Sequence, residues 1–396
     1  MSLSRSDVVI VGAGPAGCAA ALHLAAQGYA VTLIERLALP QVKACGDILL
    51  PDALRALQRY GVEGAVVAAG KVLDTLHLTA PNSGEVELEV RSLALKRPVL
   101  HALLHERLRA LGVAFFRSEV LEPLHTATGQ LYGVRCRQDG ELTEMHAPLV
   151  ILASGARPAT LQRFGLALRS TPTAVAIRAY YRDYDHPDDA TLRIFCHPAI
   201  APGFFWACPL PEQQYSIGFG HFLAAHERPE QLYLQNRLEF LARAVPATAR
   251  IVGQEDMIAP PCSSVLRTGL NGAKLYANGL LVAGEAAGSS SPLFGAGVGK
   301  ALETGELAGM IAAEALAAKR FDAAFLGRYQ ELIDNKFGEL YRSQSRAQQW
   351  LHSPAQLNTL IRKASRQEKL RHKLAAVLNE ELPPTQAVSF WTFFLP

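Results

Sequence analysis

No apolar run in this chain of 396 residues reaches the ~20 consecutive apolar residues of a membrane-spanning helix. No membrane-spanning helix is therefore expected in it. Charge of one sign is equally scarce: 39 Lys and Arg stand against 36 Asp and Glu, a formal +3. With no aromatic-basic motif either, there is no electrostatic footprint for nucleic acid, and none is expected as a partner. The six cysteines, Cys18, Cys45, Cys136, Cys196, Cys208 and Cys262, form no C-x-x-C pair and have no histidine spacing of a zinc site, so no metal is expected. They read mostly as small buried hydrophobes in a reducing compartment. Internal repeats and low-complexity segments are missing. The apolar run at Val8 reads as a strand rather than a signal peptide, which points to the cytoplasm, with the membrane surface as a candidate contact.

What the chain does have is glycine in two telling places. Residues 7–36 read DVVIVGAGPAGCAAALHLAAQGYAVTLIER. Val8 to Val11 is a short β-branched apolar run, the pattern of a buried parallel strand. Gly12, Ala13, Gly14, Pro15, Ala16 and Gly17 then lead into an apolar helix. Gly12 permits the tight turn, Gly14 the approach of a pyrophosphate and Gly17 close helix–strand packing. A second strand, Ala30 to Ile34, ends at Glu35 and Arg36. Glu35 lies 21 residues after Gly14, the spacing of an acid that holds a ribose hydroxyl. The unit reads as a dinucleotide-binding βαβ.

The second place is LLVAGEAAGSSSPLFGAGVGKALETG, residues 280–305. A buried strand ends at Gly284 and Glu285. Pro292, Gly295, Gly297 and Val298 lead into a long helix, whose N-terminal dipole suits the edge of a flavin where negative charge develops. Taken with the first motif, this resembles the two FAD signatures of the superfamily that includes geranylgeranyl reductases, aromatic hydroxylases and flavin-dependent halogenases. Glu285 stands where the family usually has Asp. The segment ILASGARPATLQRFG, residues 151–165, resembles the middle motif of the flavin hydroxylases. Gly155 and Arg163 match it, while Ser154 replaces its acid. The resemblance implies FAD as cofactor, with NAD(P)H or a carrier protein as electron donor.

Two further segments resemble geranylgeranyl reductases in particular. Lys43-Ala44-Cys45-Gly46-Asp47 matches their Cys-Gly-Glu/Asp loop. The resemblance places Gly46 at the flavin and makes Cys45 a candidate proton donor, with Lys43 near enough to lower its pKa. Phe204, Trp206 and Cys208 alternate along FFWACP, so one strand face carries all three. The spacing matches the family strand that floors the substrate pocket, which makes Phe204 and Trp206 candidate substrate-site residues. The resemblance also assigns Arg97 and Val120 to the cofactor.

The expected fold is α/β. A doubly wound, Rossmann-like FAD-binding domain (residues 1–73, 97–168 and 262–320) carries an inserted antiparallel β-sheet substrate domain (74–96 and 169–261) and a helical C-terminal tail (321–396). Asp52 is expected to cap a helix over 53–60. From Arg342 to Lys373 the tail has eight Lys and Arg and one acid, Glu368. Phe390, Trp391, Phe393, Phe394 and Leu395 follow near its end. That composition fits either a solvated face packed on the core or peripheral contact with an anionic membrane. The expected activity is FAD-dependent reduction of C=C bonds in an apolar, prenyl-like substrate, small or aromatic or borne by a protein or membrane. Two alternatives stay open: a flavin monooxygenase or halogenase, and a non-catalytic flavoprotein that senses redox state or binds a partner.

Overall fold

The computed structural model describes all residues except 1–5, 40–42, 167–170, 184–188, 225–226, 228–229, 250, 253–256, 271–273 and 389–396. The aromatic cluster of the C-terminus therefore lies outside the described residues. A six-stranded sheet holds, in order, Tyr276–Ala277, Leu280–Val282, Leu149–Leu152, Val8–Val11, Val31–Glu35 and Ala114–Arg117. All its pairs are parallel except the edge pair Tyr276–Ala277 with Leu280–Val282. The central strands are buried on both faces, which is why they read as continuous apolar runs rather than alternating ones. The helix Pro15–Ala25 is buried almost all round, wedged between this sheet and the helix Val298–Ala318.

An eight-stranded sheet forms the second layer, in the order Met257–Leu266, Ala174–Arg182, Gln214–Phe222, Gly203–Leu210, Thr191–Phe195, Lys71–Thr79, Glu85–Ala94 and Ile48–Leu49. It is antiparallel except where Thr191–Phe195 runs parallel to Lys71–Thr79. Its ladders cross the expected domain limits: 73/74 falls inside Lys71–Thr79, and 261/262 inside Met257–Leu266. The latter strand was not legible beforehand. It carries Pro260 and Pro261 and lies at the sheet edge, where a missing N–H costs no ladder bond. The apolar stretch that follows residue 113 divides into two strands in different sheets. Ala114–Arg117 joins the parallel sheet, Ser118 donates its N–H to the Glu35 carbonyl (2.9 Å), and Glu119–His125 starts a three-stranded sheet.

The tail is integral to the fold. Arg328–Gln348 buries Tyr329, Ile333, Phe337 and Tyr341, one face at helical spacing. The Tyr329 hydroxyl donates to the Val282 carbonyl at 3.0 Å. Helices Pro354–Arg366 and Glu368–Leu378 bury Leu360, Ile361, Leu370 and Val377 against Leu73, Leu76, Leu88, Trp206 and Cys208 of the large sheet. Their charged residues face outward, among them Arg362, Arg366 and Lys369.

Asp52 does not cap its helix. Pro51–Arg59 starts two residues earlier, with Leu50 as the cap residue. The Asp52 carboxylate instead meets Lys300 Nζ (2.9 Å), which also meets Glu380 of the tail (2.9 Å), and all three groups are buried. Burial opposes the lysine's charge, but the two acids outweigh it and raise its pKa. One cation between two buried carboxylates leaves a negative excess. Burial and Asp52 push Glu380 up to about 7 against the pull of Lys300.

Lys300→Met should strand two buried carboxylates and cost about 3–5 kcal/mol, read as a lower denaturant midpoint. A carboxyl whose folded pKa lies above its unfolded one stabilises most below the unfolded value, and that stability is lost as pH rises through the folded one. Wild-type stability should therefore fall between about pH 4.5 and 7 more steeply than that of Glu380→Gln. Parallel slopes in urea titrations would refute this.

Candidate functional site

The two glycine motifs, far apart in sequence, meet at Ala16. A Cβ on Gly305 would lie 2.1 Å from the Ala16 carbonyl oxygen, and one on Gly284 2.6 Å from the Ala16 Cβ. Only glycine lets the helix Val298–Ala318 and the turn at Gly284 close on the first helix this tightly. Gly12 has φ +106°, and its Cβ would fall 2.3 Å from the Ala153 carbonyl oxygen, so the first turn also demands glycine. Gly14 differs, because a Cβ there meets nothing within 4 Å. Its small size serves the space beyond the backbone, at the N-terminus of Pro15–Ala25, where free N–H groups await an anion.

Glu35 ends its strand and accepts from the backbone N–H of Ala13 (3.1 Å) and of Leu37 (3.0 Å). A carboxylate offers about four lone-pair sites, so these bonds leave it acceptor capacity. Arg36 is half-buried beside it. Arg163 donates to the Val120 carbonyl (3.2 Å), tying the middle motif to a residue that the resemblance assigns to the cofactor. Gly155 has φ +72° with open space at its Cβ position, and the neighbouring Ser154 hydroxyl is buried without a partner among the described residues.

At the other end, Glu285 pairs with Lys43 and accepts from Ser290 (3.1 Å). Arg267 donates to the carbonyls of Glu285 (3.2 Å) and Ala286 (2.6 Å). Ser291 pins the loop at Pro292 by accepting from the N–H groups of Leu293 (3.3 Å) and Phe294 (3.1 Å). Gly295 has φ +64° and an open Cβ direction. Gly297 is the cap of the helix that starts at Val298.

Cys45 follows directly on this region. The Lys43 ammonium is taken by Glu285, and its effect on Cys45 is the smallest of those that act on the thiol. Burial and Asp47 hold that thiol above its ordinary value, against Arg97, the Asp47 N–H and Lys43. The expectation of a lowered thiol pKa is thus reversed. Cys18, Cys136, Cys196 and Cys208 are buried, and burial raises Cys18 and Cys196 to about 12 and Cys136 to about 11. After Asp47 the chain joins the large sheet, Ile48 opposite Ala94 and Leu49 opposite Leu93. The Cys45 loop therefore bridges the two sheets. Arg97 is buried, donating its Nε to His101 (2.9 Å) and its N–H to Asp47 (2.9 Å).

A Cβ on Gly46 would lie 3.9 Å from Trp206, so the loop and the aromatic strand meet. Trp206, Cys208 and Phe204 share the face packed toward Leu76, Tyr180 and Phe294, while Phe205 and Ala207 face the opposite cluster. Sequence reading missed what seats the indole. A Cβ on Gly218 would fall 2.5 Å from the Trp206 ring, and Gly220 lies under the same ring; the available signal was the G-x-G interrupting the strand Gln214–Phe222. It also missed Arg178 and Tyr180, which alternate on the neighbouring strand.

Residues 5–320 match the FAD binding domain family. The chain belongs to that family. It is an FAD-dependent oxidoreductase, and the open directions at Gly14, Gly155 and Gly295 fit a long cofactor laid across both motifs. Among relatives, digeranylgeranylglycerophospholipid reductase 2 of Methanopyrus kandleri is 30% identical over 384 residues, covering 92% of each chain. Menaquinone reductase of Mycolicibacterium smegmatis is 30% identical over 326 residues, 77% of this chain and 76% of that one. Among solved structures, a geranylgeranyl bacteriochlorophyll reductase-like protein of Thermoplasma acidophilum superposes with a TM-score of 0.81 at 20% identity, over 92% and 93% of the two chains. A flavin-dependent brominase gives 0.71 at 16% identity, over 95% and 94%. At such identities the structures share the fold.

The two glycines at the phosphate turn should fail differently. Gly14→Ala should keep the melting temperature within a few degrees and lose most bound FAD. Gly12→Ala should lose both, because its methyl collides with backbone. Equal flavin content in Gly14→Ala and wild type would show that the open space is not a cofactor path.

Proposed function

We propose that this flavoprotein reduces C=C bonds of an apolar, prenyl-like substrate. The observation that carries the reading is the meeting of the Cys45 loop, an apolar aromatic wall and the second glycine motif at one junction between the sheets. Reductases that are named for geranylgeranyl lipids and menaquinone, and that match over most of this chain, support it.

FAD, once reduced, supplies hydride. Gly12, Ala13, Gly14, Pro15, Ala16 and Gly17 hold its pyrophosphate on the first helix start, with Glu35 and Arg36 at the ribose and Val120 and Gly155 toward the adenine and middle segments. Gly284, Glu285, Pro292, Gly295, Gly297 and Val298 take the flavin half, with Gly46 and Arg97 beside it. Phe204 and Trp206 wall the apolar site and exclude water. Cys45 keeps a proton at Sγ for the carbon adjacent to the one that receives hydride. The electrons come from NAD(P)H or a carrier protein. A membrane-borne substrate would be met by the basic outer face of helices Pro354–Arg366 and Glu368–Leu378. No described helix is long and apolar enough to cross a bilayer.

The competing reading, a monooxygenase or halogenase, requires O₂. Chemically reduced protein should saturate a prenyl lipid under anaerobic conditions, and Cys45→Ala should slow this about 10²-fold, the scale of one general acid, with flavin content unchanged. Turnover that appears only with O₂ would discard the reductase reading. Full activity in Cys45→Ala would remove the thiol from the mechanism.

A further inference from the structure

We propose that Asp47 is a positioning residue that fixes the Cys45 loop and keeps the Cys45 thiol protonated, so that it serves as an acid and not as a nucleophile. The catalytic use of that proton rests on the reductase reading above; the effect on the thiol does not.

Asp47 is fully buried with φ +61°, a backbone conformation unfavourable for a residue with a Cβ. Four contacts hold it there. Its N–H donates to Cys45 Sγ (3.4 Å), its carbonyl accepts from the Leu95 N–H (2.8 Å), and its Oδ1 accepts from the Arg97 N–H (2.9 Å). Its Oδ2 faces Arg178 Nε at 3.8 Å. Arg178 is equally buried and stacks its guanidinium 3.6 Å above the Tyr180 ring centre. The Asp47–Arg178 pair approaches without closing: Asp47 Oδ2, Arg178 Nε and Nη2 and the Tyr180 hydroxyl make no aligned hydrogen bond among the described residues, and 3.8 Å exceeds hydrogen-bond length. The carboxylate's field is therefore only partly cancelled, in a buried site where it acts strongly.

Of the charged groups around the thiol, Asp47 acts on it most strongly. Lys43 is paired with Glu285, whereas the Arg97 guanidinium, bonded to a neutral His101, keeps its charge and opposes Asp47 at the thiol. Tyr180 and Cys208 also face this cluster, and Lys96 approaches Tyr180 from outside (5.3 Å). The Asp47 N–H by itself would favour a thiolate; its carboxylate and the burial oppose one, and they prevail. Burial raises the Asp47 carboxyl too, on balance, against the pull of Arg178 and of the Arg97 N–H toward ionisation. In turnover the Cys45 S–H bond breaks as the new C–H bond takes its proton, and the thiolate regains a proton from water. A carboxylate beside it drives that return and shortens the life of a reactive thiolate.

The test is iodoacetamide alkylation of Cys45 in the purified holoprotein across pH, followed by mass spectrometry of the Cys45 peptide. In wild type the apparent thiol pKa should lie above the ordinary ~8.5. Asp47→Asn should lower it and speed alkylation at pH 8 about three- to tenfold, a shift of half a unit to one unit. Asp47→Glu, which keeps the charge, should stay near wild type. An ordinary or lowered pKa in wild type overturns the proposal, even if Asp47→Asn does not fold. So does an unchanged or slower profile in a folded Asp47→Asn. A thiol that responds as expected, together with full turnover by Cys45→Ala, would sustain the assignment and reject the use of Cys45 in the reductase reading.

Discussion

The close approach at Ala16 is the constraint on which the molecule depends. Gly305 and Gly284 set two backbone segments against one alanine. Any side chain there would push the two glycine-opened helix starts apart. Their N-termini carry dipole ends and unpaired N–H groups, which act together on one ligand only while the two helices stay in contact. The parallel sheet supplies the rigid backing: Val8–Val11 lies between Leu149–Leu152 and Val31–Glu35. The glycine turns therefore start from a buried, close-packed platform.

A second junction joins the parallel sheet to the aromatic face of the large sheet. The Cys45 loop leaves the first motif's side, passes Gly46 beneath Trp206, and enters the large sheet at Ile48. Five buried charged groups follow the same logic. Asp47 meets Arg178 across the sheets, while Asp52 and Glu380 share Lys300 between platform and tail. Such pairs contribute little net stability but penalise misalignment heavily, since each broken pair leaves a charge in a medium that cannot solvate it. The tail is thus part of the wall: its helices complete the apolar cluster that holds Trp206 and Cys208.

Chemistry at the junction follows from environment more than from residue type. Six cysteines occur, and burial silences most of them. Cys45 is partly accessible and has both a backbone donor and a carboxylate within its surroundings. A thiol kept as an acid beside an apolar wall suits protonation of carbon. It does not suit the thiolate chemistry that a lysine neighbour would have promoted.

Much of this was legible in the residues alone, wherever the signal is local. Strand, turn and helix at Gly12–Gly17, the acid at Glu35, the period-two face of Phe204, Trp206 and Cys208, and the second glycine turn all follow from spacing along the chain. So did the fold class, because buried parallel strands alternating with glycine-opened helices have few other solutions. What required the tertiary structure involves partners distant in sequence. Lys43 went to Glu285 instead of Cys45, Asp52 to Lys300 instead of a helix end, and Asp47 to Arg178. A charged side chain takes the nearest opposite charge that folding brings to it, and no local pattern encodes which one that will be.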